Sequence, residues 1–527
     1  MGKYLNVGNA GFASALRGIY IDKTEMISYI NKTLGTKDKL TCVSRPRRFG
    51  KSFAAQMLCA YYDRSCDSRE MFENLVISED ASFEKYLNKY DVIYLDITGF
   101  ISKAFVNGST ENIVLTIRTE VIDELVNAYP EVERQDDLPD MLYNISQATG
   151  ERFIIIIDEW DALFREVKGD TLLQEAYIQF LRGLFKDSGK TDRMIEAAYM
   201  TGILPIKKYG SQSAVSDFQE YTMLSPGILA KYVGLTEPEV QELCCNYDVN
   251  FEEMKFWYDG YSFSQLKSVY NPNSVMQAIK RNEFGSYWAR TETYESLKIY
   301  IDLDEDGLKE AIIQMLSGER VKIDVETFQN DMTNVKKKDD VLTLLVHLGY
   351  LAYDVSKKAV YIPNEEVKQE FVRAVTAGKH NELVRLILNS DQLLAHTLKM
   401  DETAVAAAIE EAHKSVSSPI TYNNEESLRG TIRLAYLTCM DEFIELDEFP
   451  SGNGYADMVF MPKRGSSMPV ILIELKWNKS AGKAIDQIRN KDYPHALQDY
   501  GGDILLVGIS YDEKNKKHTC IIERHKK

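Results

Sequence analysis

Cysteine is scarce and poorly placed for structural work: the 527 residues hold seven, an odd number, with no Cys-x-x-Cys pair. That excludes a disulfide framework and a thiolate zinc site, and it suits a reducing compartment. Long apolar runs are missing too. No stretch approaches the ~18–20 consecutive apolar residues of a membrane span, so no membrane partner is expected. The first residues, Met1-Gly2-Lys3-Tyr4-Leu5, lack the apolar core of a signal peptide, and a cytoplasmic location is the expectation. An excess of positive charge is also lacking: 62 Lys and Arg face 80 Asp and Glu, a formal net charge of −18. This balance argues against nucleic-acid binding by the chain as a whole, but not by a part of it. Residues 451–527 carry 13 Lys and Arg against 9 Asp and Glu, whereas the other 450 residues carry 49 against 71. Apolar residues are plentiful. At 44% hydrophobic content the chain can bury real cores. Its length suits two or three domains of the usual ~100–200 residues.

One stretch organises the rest: Ser44-Arg45-Pro46-Arg47-Arg48-Phe49-Gly50-Lys51-Ser52. Before it, Leu40-Thr41-Cys42-Val43 reads as a short buried strand. After it, Phe53-Ala54-Ala55-Gln56-Met57-Leu58 reads as a helix. Strand, loop, Gly-Lys-Ser and helix form the grammar of a phosphate-binding loop. The helix start offers unpaired N–H groups to phosphate oxygens. Gly50 allows close backbone approach, Lys51 reaches the outer phosphates, and Ser52 is placed to hold Mg²⁺. Arg47, Arg48, Phe49 and Phe53 complete the candidate nucleotide contacts. The usual loop opens on glycine, and here Arg45 stands at that position, so the chain must turn without it. A basic surface turn is the competing reading.

Asp91 to Asp96 reads as a second strand and Asn112 to Ala128 as a long helix. Then comes Phe153-Ile154-Ile155-Ile156-Ile157-Asp158-Glu159. Consecutive isoleucines cannot be amphipathic; they fit a central parallel strand covered on both faces. The carboxylates at its C-terminal end sit where open α/β sheets place ligands. Asp158 is the candidate to hold Mg²⁺ opposite Ser52, and Glu159 the catalytic candidate to orient an attacking water. A plain strand-end turn is the alternative. Met194 to Gly202 reads as the next strand, with Thr201 placed to sense the γ-phosphate. A strand inserted between the loop strand and the acidic strand is the additional-strand arrangement of P-loop ATPases. Upstream, Gly18 to Ile27 reads as a short strand entering a helix, with Thr24 as its cap or as a contact to a nucleotide base.

Several motifs occur in order: Ile21-Asp22-Lys23-Thr24, Arg45 to Ser52, Ile157-Asp158-Glu159, Thr201-Gly202-Ile203, Trp257-Tyr258-Asp259-Gly260-Tyr261 and Tyr270-Asn271-Pro272. Together they resemble the AAA-ATPase-like family over roughly residues 1–290. The resemblance implies ATP as ligand with Mg²⁺, and makes Arg45 a family trait. It also carries an expectation of a homo-oligomer, because ATPases of this broad class often complete their sites in trans with an arginine. Read by its residues, the aromatic run Trp257 to Phe263 is packing first, and a clamp for a base or partner second.

Farther on, Asp340 to Leu348 reads as a helix, Tyr350–Tyr353 and Ala359–Ile362 as a hairpin, and Glu365 to Val375 as a helix. That order resembles a winged-helix unit. Residues 376–450 read as helix-rich, with an amphipathic stretch from Glu425 to Phe443. Strands follow at Ala456–Phe460 and Val470–Trp477, then a helix with Gln487 and Tyr493, then a strand at Asp503–Val507. Glu474 and Lys476 lie two apart and share one face of their strand. With Asp457 they place two carboxylates and an ammonium together. Carboxylates are hard ligands for a divalent metal, which activates water for phosphodiester cleavage. A structural strand bearing an exposed Glu and Lys is the alternative. Helix–strand–strand–strand–helix–strand with Asp…Glu-x-Lys resembles the PD-(D/E)XK nuclease superfamily. The resemblance implies a catalytic set of Asp457, Glu474 and Lys476, and a further acidic metal residue at Glu425. Ser451-Gly452-Asn453-Gly454-Tyr455 stands in place of the motif's proline.

The expected class is α/β throughout. A P-loop ATPase with an additional-strand parallel sheet spans 1–240, a helical and winged-helix-like connector spans 241–375, and a restriction-endonuclease-like domain spans 376–527. The expected function is a Mg²⁺-dependent ATPase coupled to a nuclease that uses Mg²⁺ or Mn²⁺ on a nucleic-acid phosphodiester. The alternative is a nucleotide switch whose C-terminal domain binds nucleic acid or a protein without cutting. A small-molecule P-loop kinase is a third reading, but no acceptor pocket is evident in the sequence.

Overall fold

The computed structural model describes residues 2–106, 108, 110–167, 169–186, 188–206, 208–209, 212–213, 215, 217–263, 266–288, 297–298, 301, 307–326, 328, 337–376, 381–416, 424–451, 454–463, 466, 468–491, 497 and 502–525. The chain divides into two compact units. One comprises Met1–Arg290 with Lys322–Val367, the other Thr291–Val321 with Lys368–Lys527.

The first unit is built on a five-stranded sheet. Its strands are β1 (Leu40–Ser44), β2 (Asp91–Asp96), β3 (Phe153–Asp158), β4 (Ile195–Gly202) and β5 (Gln219–Tyr221), in the spatial order β2-β3-β4-β1-β5. All four pairings are parallel. Every residue of β1 and β3 is buried, as the apolar runs require for strands covered on both faces. β4 lies between the loop strand and the acidic strand, the inserted position expected from the sequence. Its register pairs Val43 with Thr201 and Ile157 with Met200. The C-terminal ends of β1, β4 and β3 therefore finish side by side. The helix Lys51–Tyr62 follows β1, and the helices Ile113–Ala128, Leu138–Thr149 and Thr171–Phe185 supply side chains to the same core.

Two upstream expectations change. Residues 20–23 form no strand. Thr24 precedes the helix Glu25–Thr33 but makes no side-chain cap. Its hydroxyl instead donates to Asp22 Oδ1 at 2.6 Å and accepts the Ile77 N–H at 3.2 Å. The Ile77 N–H, rather than an N–H of the helix, is what that hydroxyl oxygen accepts.

The aromatic run Trp257–Tyr261 packs, as its composition favours. Trp257, Tyr258 and Tyr261 are buried; the Tyr261 ring meets Phe49 edge-on and its hydroxyl donates to the Gly349 carbonyl at 2.6 Å. The helix Lys338–Leu348, the hairpin Ala352–Asp354 with Ala359–Tyr361, and the helix Glu365–Thr376 reproduce the helix–wing–helix order. At the start of that last helix, buried Glu366 accepts the N–H groups of Tyr287 at 2.7 Å and Trp288 at 2.9 Å and the Ser274 hydroxyl.

The second unit carries a sheet of β6 (Phe443–Ser451), β7 (Gly454–Pro462), β8 (Val470–Trp477), β9 (Ile504–Asp512) and β10 (Lys517–His525), paired in that order. β8 and β9 are parallel, and the helix Ala481–Asn490 makes the crossover between them; the other pairs are antiparallel. The helix Glu425–Ala435 precedes the sheet. Two differences from the sequence reading stand out. The amphipathic stretch ends at Ala435, and residues 443–451 are strand rather than helix. The last strand, β10, has no counterpart in that reading, because its polar, charged sequence masks a half-buried edge. Gly452, Asn453 and Tyr493 lie outside the described residues. Inside the unit, buried Glu445 is held by Arg433 at 2.7 Å and Lys368 at 3.4 Å.

Gly260 gives a stability test. Its φ is +118°, and an added Cβ would lie 1.8 Å from the Pro363 carbonyl oxygen. Gly260→Ala combines backbone strain of ~1–3 kcal/mol with that clash, so a loss above ~3 kcal/mol is expected. Urea unfolding followed by tryptophan fluorescence measures it; a loss below ~1 kcal/mol would contradict the packing described.

Candidate functional site

The first site forms where β1, β4 and β3 end. The chain leaves β1 through Arg45, whose backbone N–H donates to the Gly202 carbonyl at 3.0 Å. The Arg45 side chain turns inward and is fully buried. Its Nη1 donates to the carbonyls of Ser44 at 3.0 Å and Tyr221 at 3.1 Å, and its guanidinium lies 5.3 Å from the Phe263 ring centroid. Burial brings its pKa down to about 10. The residue in place of the loop's usual first glycine thus anchors the loop from inside. Arg48 at φ 67° and Gly50 at φ 94° supply the turn. An added Cβ at Gly50 would meet nothing, so conformation rather than space calls for glycine there.

Lys51 opens the helix and is 3% exposed; its Nζ donates to the Pro46 carbonyl at 3.0 Å and lies 3.5 Å from Glu159 Oε1. The Ser52 hydroxyl hydrogen-bonds Asp158. The Thr201 hydroxyl donates to Asp158 Oδ1, and the Tyr94 hydroxyl donates to Asp158 Oδ2 at 3.2 Å. Burial raises the Asp158 pKa, with Thr201 and Ser52 opposing. Glu159 sits at φ 53°, and its N–H donates to Thr201 Oγ1 at 3.1 Å. Burial works against the Glu159 charge, yet Lys51, Arg165 and Arg47 hold the carboxyl below its ordinary pKa. Ser52, Asp158, Glu159, Lys51 and Thr201 thus meet at one point, as the sequence suggested. Phe49 is fully buried, its ring edge-on to Tyr261. Phe53 is 58% exposed beside Ser52. Arg48 Nη1 donates to the Tyr287 carbonyl at 3.0 Å, and Arg47 lies 4.0 Å from Glu166.

The second site lies between β7 and β8. Asp457 falls one step beyond the Met458–Ile473 ladder pair, opposite Glu474. Asp457 Oδ2 accepts the Leu475 N–H at 2.8 Å, and its Oδ1 accepts Arg429 Nη2 at 2.8 Å. Lys476 Nζ donates to Glu474 Oε1 at 3.0 Å and to the Leu475 carbonyl at 2.7 Å. Glu474 is 1% exposed, and its Oε2 is buried with no hydrogen-bond partner among the described residues. Burial, followed by the Asp457 charge, pushes its pKa up to about 7. Glu425, expected as a further metal ligand, lies with Oε1 3.7 Å from Lys476 Nζ. Among the described residues, no three acidic, imidazole or thiol groups form a ready cation cage. The orphaned Glu474 oxygen and the repelling pair nevertheless fit a divalent cation held by Asp457 and Glu474.

Sequence reasoning missed four partners. Arg165 binds Glu159 Oε2 and, at 3.1 Å, Asp161 Oδ2. Asp161 Oδ2 also accepts the N–H groups of Ile203 at 3.0 Å and Leu204 at 2.8 Å, tying the chain beyond β4 to the acidic loop. Tyr94 and Arg429 are the others. The spacing of Asp161 from Arg165 and of Glu425 from Arg429, one helical turn in each case, was the available signal.

Residues 14–211 match the family model described as Predicted AAA-ATPase, and residues 424–520 that of the PD-(D/E)XK nuclease superfamily. The chain thus joins an ATPase-like domain to a nuclease-like one. A protein of Azotobacter chroococcum mcd 1, described as "Uncharacterized protein in vnfD 5'region", is 21% identical over 536 residues, covering 98% of this chain and 97% of that protein. Among solved structures, an Aeropyrum pernix ORC2 protein in ADPNP–ADP complexes is 10% identical, with 70% of this chain and 98% of that chain covered and a TM-score of 0.31. A DNA replication initiation factor is 10% identical, with 77% and 97% covered and a TM-score of 0.26. A replication initiator DnaA bound to AMPPCP and single-stranded DNA is 10% identical, with 72% and 92% covered and a TM-score of 0.25.

Glu474 sets a pH dependence. Its pKa is raised by folding to about 7. The folded state therefore binds the proton more tightly than the unfolded chain, and stability falls as pH rises from the unfolded pKa toward the folded one. With chelator present, Glu474→Gln should stabilise the second unit at about pH 8, and the gain should shrink as pH falls through about 7. Urea unfolding across that range, read at the C-terminal unit, measures it. A gain independent of pH would contradict the assignment.

Proposed function

We propose that the chain is a Mg²⁺-dependent ATP hydrolase coupled to a metal-dependent nuclease that acts on a nucleic-acid phosphodiester. The observation carrying the first half is the meeting of Lys51, Ser52, Asp158, Glu159 and Thr201 at the end of a parallel sheet. Lys51 neutralises the outer phosphates. Ser52 and Asp158 hold Mg²⁺, and the N–H groups opening the helix cradle the phosphate oxygens. Glu159, kept ionised by its cationic neighbours, orients the attacking water. Exposed Phe53 offers a ring face to the base. The second half rests on Asp457, Glu474 and Lys476. Asp457 and Glu474 hold Mg²⁺ or Mn²⁺, and Lys476 positions the hydrolytic water. When bound, the divalent ion supplies Lewis acidity and neutralises charge that develops on the phosphate. One observation favours the second reading, a nucleotide switch whose C-terminal domain binds without cutting: Arg429 already holds one Asp457 oxygen.

Lys51→Ala should weaken binding of a fluorescent ATP analogue by roughly 10- to 100-fold, the range for loss of a charge-assisted contact. Glu159→Gln should bind the analogue almost normally and hydrolyse ATP ~10²-fold more slowly. Hydrolysis by Glu159→Gln at the parental rate would remove Glu159 from its role.

DNA and RNA panels with Mg²⁺ or Mn²⁺, with and without ATP, test the nuclease. Asp457→Ala and Glu474→Ala should abolish cleavage. Lys476→Ala should keep metal binding and cut more slowly. Lys51→Ala should leave metal-dependent cleavage intact and remove its response to ATP. No cleavage of any substrate in either metal, with ATP present, selects the binding-only reading.

A further inference from the structure

The helix Glu425–Ala435 brings two charged residues of one face to the second site. Glu425 lies near Lys476, and Arg429 is bonded to Asp457. The two strand carboxylates differ in consequence. Both Asp457 oxygens have a donor, Arg429 Nη2 on one and the Leu475 N–H on the other, each at 2.8 Å. Glu474 has Lys476 on Oε1 and a buried Oε2 without a partner among the described residues. A cation shared by Asp457 and Glu474 has to approach Asp457 where a guanidinium is already bonded to one of its oxygens. The Leu475 N–H is fixed in β8 and cannot leave. The Arg429 side chain is a flexible tether and 26% exposed. Its charge, at ion-pair distance from Asp457, also repels a dication.

We propose that Arg429 is a positioning residue that competes with the divalent cation for Asp457, so that the metal enters this site by displacing the guanidinium. The proposal rests on reading Asp457 and Glu474 as metal ligands. Arg429 holds Asp457 in place and pairs with its charge, which eases without removing the repulsion between the two facing carboxylates. Displaced, the guanidinium remains on the same helix face, where its planar fork suits a phosphate diester. Metal and nucleic-acid phosphate then favour each other's binding, because each draws Arg429 toward the same displaced position.

The test uses the full-length chain and Mn²⁺ alone, with free Mn²⁺ read by electron paramagnetic resonance. The parent, Arg429→Gln, Arg429→Lys and Glu474→Gln are compared without nucleotide. Arg429→Gln should bind Mn²⁺ at least ~5-fold more tightly than the parent, and Arg429→Lys, which keeps the charge, within ~2-fold of it. Misfolding lowers affinity, so a gain separates the proposal from a structural role. A second reading needs no substitution: Mn²⁺ should speed modification of Arg429 by phenylglyoxal in the parent, measured by peptide mass. If Glu474→Gln loses a Mn²⁺ site that Arg429→Gln binds no more tightly than the parent, the competition is overturned and the metal reading stands. If Glu474→Gln binds Mn²⁺ as the parent does, the metal reading falls and the proposal with it. An unchanged rate of Arg429 modification with Mn²⁺ also overturns it.

Discussion

A charge removed from water must be paired or be neutralised by a change of protonation, and both candidate sites are arranged around that constraint. Buried acids on or just beyond the strands draw cations from neighbouring loops and helices. Glu159 is held by Lys51 from the phosphate loop and by Arg165 from the helix that follows it. Asp457 is held by Arg429 from the helix before the sheet. Glu474, between a lysine and an acidic neighbour, is the least settled: its pKa rises to about 7 because one ammonium does not offset burial and the Asp457 charge. The same constraint acts on Glu445, which is also buried and is held by two cations.

Arg45 shows the constraint met without an acid. Its buried guanidinium rests on two backbone carbonyls and an aromatic face. Delocalised charge and weak hydration make arginine the cation that tolerates such a place. Its charge is felt nearby: burial, then Arg45, brings the His347 pKa down to about 3 and keeps that imidazole neutral. The turn that a first glycine normally makes is carried by Arg48 and Gly50, both with positive φ. Glu159 shares this left-handed backbone, a conformation that non-glycine residues adopt at some energetic cost and that gathers at functional sites. Its N–H bond to Thr201 helps hold it there and links β3 to β4.

Much of the fold could be read from local signals. The apolar runs gave β1 to β4 and β8 nearly to the residue, because a strand buried on both faces has little sequence freedom. The inserted place of β4 followed from the order of motifs. Polar strands at sheet edges were harder. β10 alternates buried and exposed positions among charged residues, and β6 emerges from a stretch that reads as helix, since such patterns fit more than one structure.

The sequence by itself determined the candidate chemical groups: Lys51, Ser52, Asp158, Glu159 and Thr201 in one unit, and Asp457, Glu474 and Lys476 in the other. Motif order and strand periodicity suffice for that, because each residue's type and its position on a strand or helix end are local properties. Only the tertiary structure decided what each group touches. It buried Arg45 and Phe49 within the loop, set Arg165 on Glu159, left one Glu474 oxygen without a partner among the described residues and placed Arg429 on Asp457. The reason is physical. Coulomb energies and desolvation depend on distance and on how deeply a group is buried, and both are fixed only when the strands and helices have packed.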